Sequence, residues 1–165
     1  MPHEDLVKAW LKDAYAMEMA LVPVLENHAK DAKDYPEFRD RIQEHVEQTK
    51  HHAELVKQCL NRLGEQPSAV KSMIGDLTGL VQSVATGAFQ DELVKNSLTD
   101  YATENFEIAS YSALAAAAQE LGDTETERVC EEIMTEEQDM ADWLDEHLPE
   151  AVTNVMEIKA ARHNK

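Results

Sequence analysis

Gly and Pro are sparse in this chain, five of each in 165 residues, and their positions leave room for four long helices in one particular order. Apolar residues at Val7, Leu11, Ala14, Leu21, Val22, Leu25 and Ala29 repeat at helical spacing and predict a first helix from about Asp5 to about Lys33. Pro23 lies inside it and is expected to bend it near Met19, because proline removes one backbone hydrogen bond. Asp34-Tyr35-Pro36-Glu37 reads as a turn followed by a helix start. The second helix then runs to about Leu63, with Gly64 as its C-terminal cap. A shorter helix is expected from about Pro67 to Ala85, ended by Gly87. The third long helix spans about Asp91 to Leu121 and stops at Gly122, and Thr124 with Glu127 has the spacing of a capping box for the fourth. The fourth is expected to end before Pro149, leaving a short flexible tail from about residue 150.

The order is therefore two tight hairpins joined by a long connection carrying its own helix. A simple up-down-up-down bundle does not need such a connection. A ferritin-like four-helix bundle, with its one long crossover, does. The expected fold is accordingly all-α, in a single domain over residues 1–165, which is long enough to bury a core without disulfides. The net charge of −18 sets the surface against nucleic-acid phosphates and anionic membranes. No apolar run reaches the length of a membrane span. The two cysteines, Cys59 and Cys130, read as small buried hydrophobes rather than a secretory framework. The expectation is a cytoplasmic protein.

Placing residues at about 100° each around their helices exposes an anomaly. On the first helix, Glu18 lies in the middle of the apolar direction. On the third, Glu104 and Glu107 flank the centre of the stripe formed by Leu93, Tyr111, Leu114, Ala115, Ala118 and Leu121. On the fourth, Glu137 is central among Cys130, Ile133, Met134, Ala141, Leu144 and Leu148. The second helix turns Ile42, Val46, Ala53, Val56, Leu60 and Leu63 inward, with His45, Thr49 and His52 on or beside that face and Gln48 at its edge. Heights agree as well. Glu18 and His52 are equidistant in sequence from Tyr35, as Glu107 and Glu137 are from Gly122, so each antiparallel hairpin brings its pair to one level.

Buried carboxylates are costly unless paired or bound to a cation, and four of them left alone would repel one another. A bound metal removes the difficulty. Carboxylates with imidazole suit iron, manganese or zinc, and inward Glu on two helices with Glu-x-x-His on the other two is the di-metal carboxylate arrangement. Each residue taken singly also fits a hydrogen-bonded polar core without metal. The convergence of four helices favours the metal.

Ala14-Tyr15-Ala16-Met17-Glu18, His45-Val46-Glu47-Gln48-Thr49, Glu104-Asn105-Phe106-Glu107-Ile108-Ala109-Ser110-Tyr111 and Glu136-Glu137 together resemble the YciE/YciF group of bacterial ferritin-like stress proteins, over nearly the whole chain. The resemblance implies a four-helix bundle with an added helix, a homodimer, a di-metal centre and a link to stress responses. It places the group's inward acids on Glu18, Glu104, Glu107 and Glu137. The chain departs from the wider ferritin-like superfamily at two positions. Thr49 stands where a bridging Glu precedes His52, and Met140 stands where a His follows Glu137. These departures imply either one strong and one weak metal position or a partly degenerate site.

The expected metal ligands are Glu18, His52, Glu104, Glu107 and Glu137, with His45 as ligand or supporting residue. Glu104 or Glu107 would bridge two ions, and Tyr15, Tyr101 and Tyr111 are candidate hydrogen-bond partners. The expected function is iron or manganese binding, with zinc as a further candidate metal, and consumption of oxygen or peroxide. The alternatives are metal sequestration without turnover and a metal-free structural bundle.

Overall fold

In the computed structural model, residues 2–67 and 91–164 are described, and every long element among them is a helix. Helix α1 spans Pro2–Asp31, α2 Pro36–Arg62, α3 Glu92–Leu121 and α4 Thr124–His163. The shorter helix expected over Pro67–Ala85 lies outside the described residues.

The helices form two hairpins, α1 with α2 and α3 with α4, laid together so that α1 meets α3 and α2 meets α4. Pro36 opens α2 at its first turn, where its missing N–H would lack a partner in any case. At the far end of α2, Gly64 takes a left-handed conformation (φ 75°), and the Glu65 amide donates back to the Leu60 carbonyl at 2.9 Å. Gly122 does the same after α3 (φ 70°), with the Asp123 amide donating to the Ala118 carbonyl at 2.9 Å. Both are left-handed C-terminal caps, a conformation in which glycine escapes the Cβ penalty.

The start of α4 differs from the expected capping box. The capping side chain is Asp123, whose carboxylate accepts from the Thr126 amide (3.2 Å) and hydroxyl (2.8 Å). Arg62, from the end of α2, donates to the same carboxylate at 2.6 Å, which pulls the two hairpins together at this end of the bundle.

The other end of α4 also differs from expectation. The helix continues through Pro149 to His163. Proline removes one helical hydrogen bond, but the Pro149 ring faces solvent, and Ala151 and Val155 beyond it are buried in the core. Burial of that continuing face outweighs the lost bond, and Arg162 reaches Asp34 in the α1–α2 turn at 3.5 Å. Pro23 is likewise carried inside α1 without ending it.

The core is largely the one expected. Val7, Leu11, Leu25, Ile42, Val56, Leu60, Leu93, Tyr111, Leu114, Ile133 and Leu144 are all buried, and so are Cys59 and Cys130. Phe38 packs edge-on against Trp143 (ring centroids 5.1 Å apart), and Trp143 stacks on His147 at 4.1 Å, closing the core at the α1–α2 turn. Leu121, expected inward, is exposed at the end of α3. No helix among the described residues is long and apolar enough to cross a membrane.

Candidate metal centre

Each helix contributes at least one ionisable side chain to the middle of the bundle. Glu18 comes from α1, His45 and His52 from α2, Glu104 and Glu107 from α3, and Glu137 from α4, and none is more than 1 % exposed. They are there because each occupies a core position of an amphipathic helix, so the packing that buries the neighbouring leucines buries them too.

Two groups of three emerge. Glu18, His52 and Glu137 bring one ligand-type atom each within 4.8 Å of the others, and so do His45, Glu104 and Glu137. Glu137 belongs to both. Its Oε1 lies 2.8 Å from His52 Nδ1 and its Oε2 3.5 Å from His45 Nε2. His45 Nε2 is 2.8 Å from Glu104, and His52 Nδ1 is 3.8 Å from Glu18. Glu107, equally buried, falls outside both triads. Glu104 and Glu107 are three residues apart, so they leave α3 one turn apart in height and about 60° apart in direction.

The surroundings are apolar or already occupied. Tyr111 donates its hydroxyl to Glu18 Oε1 at 2.5 Å. Tyr15 is half-buried and Tyr101 exposed, so of the three tyrosines singled out in the sequence, Tyr111 is the one bonded to a core carboxylate. Thr49 turns its hydroxyl to the His45 carbonyl (2.9 Å), and Met140 is fully buried in the core. Neither substitutes for the ligand it replaces.

Three features were missed in the sequence. Glu136, half-exposed, accepts from His52 Nε2 at 2.6 Å. The Gln48 side-chain oxygen meets His45 Nδ1 at 3.0 Å. A buried pair, His28 Nδ1 with Asp100 Oδ1 at 2.7 Å, joins α1 to α3 one turn along α3 from Glu104. The first and third depend on pairs from different helices that no single helix reveals, whereas His45 and Gln48 are three apart on α2, a spacing that could have signalled the contact.

Electrostatics follow from crowding acids in a dry space. Burial, then the charge on Glu137, pushes Glu18 up to about 8. The same two causes hold Glu104 and Glu107 well above the usual carboxylate range. Burial disfavours the His52 cation, but the contact with Glu137 and the charges of Glu18 and Glu137 outweigh it and raise His52 to about 9. Burial opposes ionisation of Glu137 too, and is outweighed by Glu104, His52 and His45, which bring it down to about 2. Glu137 is thus the anion of the centre.

The polar atoms left without hydrogen-bond partners decide whether these residues fit a metal. Among the buried side chains described, they are Glu18 Oε2, His45 Nε2, His52 Nδ1, Glu104 Oε2, Glu107 Oε1 and both oxygens of Glu137, with Asp100 Oδ2 the only one elsewhere. The histidine nitrogens approach carboxylate oxygens closely without hydrogen-bond alignment. Buried polar groups are ordinarily satisfied. Donor atoms that crowd one space without bonding one another are what an absent cation would leave, and nitrogen and oxygen donors of this kind suit iron, manganese or zinc.

Residues 3–157 match the family model described as a domain of unknown function, DUF892. The chain belongs to the DUF892 family. Protein XCC3681 of Xanthomonas campestris pv. campestris is 33 % identical, with 97 % of this chain and 99 % of that one covered at a TM-score of 0.83. The Escherichia coli stress protein YciF is 22 % identical, covering 92 % and 97 % at 0.80. The bacterioferritin of Desulfovibrio desulfuricans, whose structure is described with a diiron site, is 21 % identical, covering 95 % and 88 % at 0.75. For this DUF892 chain, the last two likenesses establish the ferritin-like helical bundle.

Proposed function

We propose that this DUF892 protein is a ferritin-like metal protein that holds two ions, iron or manganese, at Glu18, His52 and Glu137 and at His45, Glu104 and Glu137, and that it consumes dioxygen or peroxide. The observation that carries the reading is the set of buried donor atoms turned into one space without partners, divided into two triads that share Glu137. Glu107 stands beside them, its carboxyl held toward the neutral form, rather than as a member of either triad. Glu137, in place of Glu104 or Glu107, would be the residue shared by the two ions, because it alone faces both histidines.

When bound, such ions supply one-electron redox chemistry at two adjacent positions. The chain's own part is to hold them, to keep water out with Leu, Ile and Ala side chains, and to keep a proton at Tyr111 Oη, 2.5 Å from Glu18. The diiron site described for the bacterioferritin and the designation of YciF as a stress protein agree with a role in handling oxidants, and the protein is taken to be cytoplasmic and to act as a homodimer. Thr49 and Met140 favour a second reading, binding without turnover, since each removes a ligand the superfamily arrangement contains.

An oxygen and peroxide electrode separates the two. Protein loaded anaerobically with iron(II) is expected to consume one of these oxidants in proportion to the iron, well above iron(II) with a Tyr111→Phe, Glu18→Ala variant. Loaded protein that consumes neither contradicts turnover and leaves the binding reading.

A further inference from the structure

The two triads have the same composition, one histidine and two glutamates with Glu137 in common. Behind the histidines they differ. His52 faces the centre through Nδ1, and its other nitrogen donates to the Glu136 carboxylate at 2.6 Å. His45 faces the centre through Nε2, and its other nitrogen meets the Gln48 amide at 3.0 Å. A carboxylate can only accept, so it fixes the proton on Nε2 and leaves Nδ1 free for a cation. An amide can present either its oxygen or its NH2 group and imposes no such choice. A carboxylate is also the stronger acceptor, and a histidine bonded to one is the more basic ligand. Other charges do not cancel the difference. Asp100 lies near Glu104, but His28 holds it at 2.7 Å.

Resting on the metal-binding reading above, we infer that the two positions are unequal and fill in order, Glu18–His52–Glu137 first and His45–Glu104–Glu137 second, with Glu136 as the positioning residue that sets the order. Glu136 belongs to neither triad. It acts through His52, from a half-exposed place on α4.

Calorimetric and visible-absorption titration of the metal-free protein with cobalt(II) tests this. Two steps of different affinity are expected. Glu18→Ala should remove the tighter and Glu104→Ala the weaker, which assigns them. Glu136→Gln should then weaken the tighter step by about 10- to 100-fold, with the weaker step unchanged. Two equal steps, a tighter step that depends on Glu104, or a tighter step unmoved in Glu136→Gln would overturn the inference while leaving the metal centre standing. A wild-type protein that takes up no cobalt would overturn the metal-binding reading itself.

Discussion

Glu137→Ala is expected to empty both metal positions at once, whereas Glu18→Ala or Glu104→Ala empties one. The asymmetry comes from geometry. Glu18 belongs only to the group containing His52 and Glu104 only to the group containing His45, while Glu137 turns one oxygen to each histidine. It is also the group held ionised, at about 2, by the neighbours that surround it, so it offers a cation full negative charge where the other acids are held back by burial. Losing an outer partner of a metal ligand lowers affinity by about 10- to 100-fold, and losing a shared ligand should lower it further at both positions. Manganese(II) or cobalt(II) titration of the three single variants checks this. Equal losses in all three would mean that Glu137 is not shared.

The metal-free protein should lose stability as pH rises from about 5 to about 9, and bound metal should abolish that loss. Glu18 is raised from 4.5 to about 8, so the stability it contributes is full below 4.5 and disappears as pH climbs through 8. Glu104 and Glu107 are raised for the same reasons and act in the same direction. His52, raised from 6.5 to about 9, contributes stability that is present below 6.5 and lost through 9. Glu137 runs the other way. Lowered from 4.5 to about 2, it contributes stability that is present above 4.5 and lost as pH falls through 2. The windows leave a maximum near pH 5 for the empty centre and a decline of a few kcal/mol, on the order expected for shifts of this size, toward alkaline pH. A cation favours ionised carboxylates and neutral imidazole, so loading reverses the slope. Melting temperatures of metal-free and loaded protein at acid, neutral and alkaline pH would show it. A metal-free protein that gains stability on the alkaline side would contradict the assignment.

Much of this centre was legible because helices are regular. One inward residue fixes the direction of its neighbours, and the equal distances of Glu18 and His52 from the first turn and of Glu107 and Glu137 from the second follow from antiparallel pairing alone. Partition of the ligands was not legible. Glu104 and Glu107 flank the same stripe equally on a helical wheel, and only the packing of α3 against its neighbours decides that Glu104 enters a triad. Glu136 enters the sequence reading only through the Glu136-Glu137 pair of the resemblance, with no role of its own, because that role depends on His52 arriving from another helix. The end of α4 was misjudged for a different reason. A rule about proline that is local was overridden by burial of Ala151 and Val155 beyond it.

The most direct test of the metal centre is elemental analysis of the protein purified without chelator, loaded with iron(II) or manganese(II) and dialysed, beside Glu137→Ala treated identically. The account predicts close to two ions per chain in the wild type and essentially none in the variant. A wild-type chain that retains no metal, with a Glu137→Ala variant as stable as the parent or more so, would contradict it and mark the buried acids as a polar core without a cation.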